Sequence, residues 1–322
     1  TGGYNLKPSN SLDGMKAALG RLLASDSDLV REVCEHVQQG KSKLFRPTLL
    51  LLCAQHEGGV DDVAVEAAAA VELVHTATLV HDDFIDGAET RRGQPSVNAR
   101  FGPEIALIMG DLLYTKALAH LGTLRQDWAY KLLTRAAVQM SEAEMLQIEH
   151  RYNLGVTETI YQRIIYQKTA SLIECACRIG ASLHPDGRSH DAVFETFGAK
   201  TGLVFQITDD IFDYLGDPRR LGKPTGSDWA EGRITLPLIA AWSQADGAAR
   251  RELAAVAGER DPTAASWPLV QSFVAENGGV DYAYQQARRL SGEAKDALTR
   301  LETGPRREFL QVAVEYVVNR LH

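Results

Sequence analysis

Asp82, Asp83 and Asp86 stand in the stretch HDDFIDGAETRRG, and Asp209, Asp210 and Asp213 stand in FQITDDIFDYLGD, each triplet with i, i+1, i+4 spacing. On a helix turning about 100° per residue, the first and last members of each triplet share a face. Each triplet follows an apolar stretch and precedes a glycine-containing break, which places it at the C-terminal end of a helix. The helix dipole is negative there and the carboxylates repel one another, so a positive charge is needed nearby. Carboxylate oxygens with nothing soft beside them suit Mg²⁺, a hard octahedral ion that keeps several waters and takes the phosphate oxygens of a substrate. One such triplet would equally be a solvated acidic helix end. Two with the same spacing point to a phosphorylated substrate held by clusters facing each other across a cavity.

The rest of the chain has to position those helices. Its 322 residues, 45% hydrophobic, are enough for one large core. Apolar residues recur every three or four positions in PTLLLLCAQH, VEAAAAVELVHTATLVHDDF, PEIALIMGDLLYTKALAHL and REFLQVAVEYVVNRLH, a helical period. Alternating strands with Asn-Gly or Asp-Gly turns are absent, and no repeat or low-complexity linker divides the chain. The reading is all-α: one domain over residues 1–322, a bundle of about ten to thirteen helices, with residues 1–10 expected to be flexible. Residues 64–81 are apolar nearly all round, as befits a helix at the centre of a bundle.

A net charge of −8 argues against nucleic acid or an anionic membrane as partner. Cys34, Cys53, Cys175 and Cys177 have no metal-type or redox-type spacing, and reduced buried thiols are expected. No apolar run is read as reaching the roughly 20 residues of a membrane span, and no signal-peptide layout opens the chain; a soluble, cytoplasmic protein is expected. An anionic substrate then needs local cations. Lys43, Arg46, Arg91, Arg92, Lys168 and Lys223 supply them, arginine as a bidentate fork and lysine as a point charge.

With both aspartate motifs, the arginine pair and the tail GKPTGSDWAEGRITLPLI in this order, the sequence resembles the trans-isoprenyl diphosphate synthases, or polyprenyl synthetases, over nearly its whole length. The resemblance implies the all-α isoprenoid synthase fold around a central cavity, a homodimer, and about three Mg²⁺ per site. It implies direct metal ligation by Asp82, Asp86 and Asp209, with Asp83, Asp210 and Asp213 in support. Arg91 would hold the diphosphate of an allylic substrate, and Lys168, Thr169, Gln206 and Lys223 would line that diphosphate and the forming cation. Lys43, Arg46, His75 and Arg92 would hold isopentenyl diphosphate. Two departures stand out: Lys41 and Ser42 occupy positions where the family has glycines, and Arg233 replaces a lysine. Without its motif, His75 would read as a core histidine satisfied by a backbone carbonyl.

The implied reaction ionises the allylic diphosphate, adds the double bond of isopentenyl diphosphate to the cation, and loses a proton. Product length is expected to be set upstream of Asp82, where short-chain members place large aromatics and this chain has Ala77 and Thr78. Small residues imply an open tunnel and a long all-trans product, with Leu121 and Leu133 as candidate floor; periodicity alone allows both leucines to be ordinary core. A short-chain synthase is the alternative. A non-catalytic partner subunit would lose one or both aspartate motifs, and a class I terpene cyclase would vary the second.

Overall fold

The computed structural model describes residues 8–40, 43–215, 225–257 and 266–319, most of them helical. The chain is all-α as expected. Its helices are α1 (Pro8–Leu23), α2 (Asp28–Gln39), α3 (Phe45–Ala54), α4 (Asp62–Ile85), α5 (Val97–Phe101), α6 (Pro103–Thr123), α7 (Asp127–Glu149), α8 (Glu158–Ile165), α9 (Ser171–Ser182) and α10 (Asp191–Leu215). They continue with α11 (Ser227–Ala230), α12 (Leu236–Gln244), α13 (Gly247–Ala257), α14 (Trp267–Glu276), α15 (Gly279–Leu298) and α16 (Pro305–Asn319). The described residues thus hold more helices than expected, because short pieces such as α5 and α11 are too brief to show a hydrophobic period. Helix α1 starts at Pro8, and residues 1–7 lie outside the described residues.

The described residues cluster into two compact units, each drawn from three stretches of chain. The first takes Thr1–Ala137, Leu172–Glu195 and Leu301–Leu310. Its centre is α4, where Ala64, Ala67, Ala68, Ala69, Ala70, Val71, Val74 and Ala77 have no accessible surface. A helix buried on every side by small residues lets its neighbours approach closely, and α1, α3 and α6 all pack on it. In α9, an added Cβ at Gly180 would come 2.2 Å from the Leu50 carbonyl oxygen of α3. Buried Arg178 of α9 bonds to Glu174, Asp191 and Glu195, fixing the start of α10. All four cysteines are free and buried, as expected.

The second unit takes Val138–Ser171, Thr196–Arg300 and Gln311–His322. Helix α12 is its buried centre, with Leu236 through Ala241 almost wholly enclosed and α8, α14 and α15 packed on it. Between α8 and α9 the chain makes a π-helical turn, Tyr166–Ala170, in which the Ser171 N–H reaches the Tyr166 carbonyl.

One expectation is corrected here. Helices α4 and α6 are both long and apolar enough to cross a membrane by length and composition. Helix α4 reaches that length as a core helix, with 61% of its apolar window buried, whereas only 33% of the α6 window is buried within the chain.

Candidate active site

The first aspartate cluster ends α4, and its members divide the work. Asp83 is buried, and Arg91 Nε donates to its Oδ1 at 2.8 Å, with Arg91 Nη2 donating to the same oxygen. Burial raises the Asp83 carboxyl above its ordinary value even with Arg91 and Arg92 opposing it, since desolvation outweighs the ion pair's pull. Asp82 and Asp86, one turn apart, keep partly exposed side chains.

Arg91 arrives on a two-residue hairpin, β1 (Thr90–Arg91) paired with β2 (Gln94–Pro95). Its turn residues Arg92 and Gly93 both have positive φ, 54° and 77°, as a type I′ turn requires. The sequence reading missed this hairpin, because its Arg-Gly turn lacks the usual Asn or Asp. His81, beside the cluster, turns away: its Nε2 lies 3.1 Å from the Leu107 carbonyl oxygen, and its ring stacks on Tyr114. Gly110 makes room for it, since a Cβ there would fall 2.1 Å from His81 Nε2.

Beside the hairpin the same unit brings Arg46 and His75 together, with Arg46 Nη1 donating to His75 Nε2 at 3.0 Å. Accepting that bond requires a neutral ring. Burial, then the charges of Arg46, Arg92 and Arg91, hold the His75 pKa well below its ordinary 6.5. His75 is therefore satisfied by a guanidinium and not by the backbone carbonyl of the bland reading. Lys43 is exposed just before α3, and Lys41 and Ser42 lie outside the described residues. A cavity of about 360 Å³ in this unit is lined in part by Leu44, Thr76, Leu79, Asp83, Arg91 and Arg92.

The second cluster ends α10, in the other unit, and repeats the division. Buried Asp210 accepts from Tyr161 Oη at 2.5 Å and from Gln206 Nε2 at 2.8 Å. Burial, and then the charge of Asp228, push its carboxyl well above the ordinary range. Asp213 takes Ser227 N (3.2 Å), Ser227 Oγ (2.9 Å) and Asp228 N (3.0 Å), so it anchors the start of α11. Asp209 keeps a partly exposed side chain. Lys168 and Thr169 sit in the π-turn. Lys168 pairs with Glu144, and Thr169 Oγ1 donates to Gln206 Oε1 at 2.8 Å. Gly202, one turn before Gln206, permits this approach, because a Cβ there would fall 2.4 Å from Ala170 Cα. Lys223 lies outside the described residues.

The sequence reading missed Glu144, Tyr161 and Asp228. Of these only Asp228 carried a signal, as an acid in the quoted tail before Arg233, whose Nε lies 3.7 Å from it. Among the chain-length candidates, Ala77, Leu121 and Leu133 are fully enclosed, while Thr78 is partly exposed.

The polyprenyl synthetase profile matches residues 27–270, three quarters of the chain. The chain belongs to the polyprenyl synthetase family. It is similar to the octaprenyl diphosphate synthase of Escherichia coli, 30% identical over 98% of this chain and 99% of that one. It is also similar to the short chain isoprenyl diphosphate synthase of Methanothermobacter thermautotrophicus, 34% identical over 94% and 95%. Among solved structures, a polyprenyl synthase from Caulobacter crescentus, complexed with calcium and isoprenyl diphosphate, superposes with a TM-score of 0.92 at 29% identity, covering 97% of this chain and 95% of that one. The polyprenyl synthetase described here is a trans-prenyltransferase.

The neutral His75 carries a consequence for stability. In the unfolded polyprenyl synthetase it titrates at its ordinary 6.5, while the folded protein holds it well below that value. Below 6.5 the unfolded chain binds a proton that the folded chain does not, so this contribution is complete above that pH and declines as pH falls toward the depressed value. Denaturant unfolding at about pH 7.5 and about pH 5.5 should therefore show a smaller loss of stability on acidification in His75→Gln than in the parent. Equal losses would mean that His75 protonates freely in the fold.

Proposed function

We propose that this chain condenses isopentenyl diphosphate with an allylic diphosphate such as farnesyl diphosphate, in a Mg²⁺-dependent reaction, to make a long all-trans polyprenyl diphosphate. The observation carrying this reading is the same division of labour at two helix ends. In each motif a middle aspartate is buried and bonded, while Asp82 and Asp86 of the first and Asp209 of the second stay accessible. Among the described residues no three acidic or soft side chains form a ready-made metal cage. That suits an ion which takes only one or two carboxylates from a protein and fills its shell with water and diphosphate oxygens. Asp82 and Asp86 of the first unit would hold such an ion, and Asp209 of the second another. When bound it supplies charge to stabilise a departing diphosphate.

The chain's own residues do the rest. Arg91, oriented by Asp83, and Lys168, beside Glu144, are the cations offered to the allylic diphosphate. Arg46, Arg92 and Lys43 take the diphosphate of isopentenyl diphosphate, with neutral His75 adding a hydrogen bond rather than charge. The Gln206 carbonyl oxygen and the Phe205 ring stabilise a developing allylic cation without attacking it. Water must be kept out, since it would quench that cation to an alcohol. Neither aspartate motif carries a buried His or Glu to take the final proton, which leaves the released pyrophosphate as the base.

Support for a long product comes from Ala77 and Thr78, which put no aromatic ring beneath Asp82. A specific observation favours the shorter reading as well. Ala77, Leu121 and Leu133 all have 0% exposure, so the core beneath the aspartates is packed and a long tail has to displace side chains to pass.

The second copy implied by the resemblance also has support. On α6, Leu107 and Ile108 are 47% and 62% exposed in a helix otherwise fit for an apolar interior, and a homodimer would cover them.

Three outcomes are expected. Asp82→Ala and Asp209→Ala should each lower kcat by at least roughly a hundredfold with the melting curve preserved; near-normal turnover in either would end the two-cluster reading. The purified chain with farnesyl diphosphate, excess isopentenyl diphosphate and Mg²⁺ should give chromatographed products in the hexaprenyl to decaprenyl range, and Ala77→Phe should shorten them. Parent products ending at farnesyl or geranylgeranyl length would establish the short-chain alternative, no condensation by the chain alone would favour a partner subunit, and a cyclic hydrocarbon would favour a cyclase. Finally, Ile108→Glu should convert a sedimenting dimer to monomer, and an unchanged dimer would place the interface elsewhere.

A further inference from the structure

Four side chains of the second unit form a closed ladder between two elements. Helix α8 is capped by Thr157, whose Oγ1 accepts from Ile160 N at 3.3 Å. It buries Tyr161, Ile164 and Ile165 on one face, then runs directly into the π-turn carrying Thr169. Opposite them, Gln206 and Asp210 lie one turn apart on α10. Tyr161 Oη to Asp210 Oδ2 (2.5 Å) makes one rung, and Thr169 Oγ1 to Gln206 Oε1 (2.8 Å) makes the other. Gln206 Nε2 to Asp210 Oδ1 (2.8 Å) is the rail joining them. Tyr161 is 3% exposed and has no place in the residue set that the family motifs supply.

The ladder fixes a polarity. An amide side chain has a donor end and an acceptor end, and its orientation is decided by its partners. Asp210 receives hydrogen bonds on both oxygens, which turns the Gln206 NH₂ toward Asp210 and leaves the carbonyl oxygen for the Thr169 side. Without the Tyr161 hydroxyl, Asp210 Oδ2 would be a buried acceptor with its donor removed, a costly state relieved by rotating the carboxylate or letting the amide turn over. A turned amide would present N–H groups where the carbonyl oxygen had been. Toward a cation that reverses the sign of the interaction, because an amide oxygen attracts positive charge and an amide N–H repels it.

We infer that Tyr161 is a positioning residue for prenyl transfer: acting through Asp210, it holds the Gln206 amide with its carbonyl oxygen toward Thr169 and the forming cation. The inference rests on the proposed reading of Gln206 as a residue lining that cation. It requires no contact between Tyr161 and substrate, and it predicts an effect on the chemical step rather than on binding.

The test uses the full chain and the prenyl-transfer assay. Tyr161→Phe keeps the ring and removes the donor. It should lower kcat by roughly ten- to a hundredfold, the scale of one hydrogen bond to a charged group, while leaving the KM of both substrates within about twofold. In a Gln206→Met background, where the ladder is already cut, Tyr161→Phe should cost nothing further. A purely structural tyrosine would instead multiply the two losses. Tyr161→His, which restores a ring donor, should recover part of the lost kcat and serves as the comparison if the phenylalanine variant folds poorly. Unchanged kcat in Tyr161→Phe, multiplying losses in the double variant, or no recovery with histidine would each overturn the inference. A parent chain that makes no prenyl product at all would overturn the functional reading itself, and this inference with it.

Discussion

Carboxylates crowded at the C-terminal end of a buried helix repel one another and meet the negative end of the helix dipole. The polyprenyl synthetase described here builds that situation twice, at Asp82–Asp86 and at Asp209–Asp213, and much of each unit's local structure answers it. Each cluster is made tolerable by committing some of its members to donors. Arg91 satisfies Asp83 from a hairpin whose turn puts an arginine at positive φ. Tyr161 and Gln206 satisfy Asp210, and the start of α11 satisfies Asp213. What remains partly exposed is Asp82 and Asp86 in the first motif and Asp209 in the second. On the proposed reading those donors would also orient the residues that meet substrate, so that charge compensation and site assembly would be one problem solved by the same side chains.

The helical class and the central place of α4 were legible because a chain apolar on all sides over residues 64–81 has few other destinations. The cluster members were legible by type for a similar reason: i, i+1, i+4 spacing at a helix end is a local property. Their division into buried and partly exposed aspartates was not, since it depends on partners far away in the chain, such as Tyr161, which lies 49 residues from Asp210. The hairpin escaped notice because two-residue strands have no period to read. Asp228 lay in the quoted tail, but its role showed only once its charge was found acting on Asp210.

The π-turn shows another limit of periodicity. On a regular helix, the adjacent Lys168 and Thr169 would point about 100° apart. The extra residue of a π-turn locally unwinds that relation, a device frequent at functional sites. Here it sets Lys168 against Glu144 while Thr169 reaches Gln206. A sequence in which every residue is compatible with an α-helix gives no sign of this. What the fold adds is room for the turn to lie close against α10, since a Cβ at Gly202 would fall 2.4 Å from Ala170 Cα.

The chain-length question turns on a distinction between residue size and available space. Ala77 is small, and from sequence alone a small residue beneath the aspartates reads as room for a growing tail. In the folded chain Ala77 has no accessible surface, because neighbouring helices have moved in on the alanine-rich face of α4. Small side chains on a buried helix permit two outcomes, a channel or a closer helix contact, and close packing favours the second wherever nothing fills the gap. A long product on this scaffold would therefore come from displacing side chains such as Leu121 and Leu133, at a cost that rises as each five-carbon unit is added. The length at which that cost exceeds the gain from burying another isoprene unit is the physical quantity that separates the long-chain from the short-chain reading, and it belongs to the whole packed layer rather than to the residue at position 77.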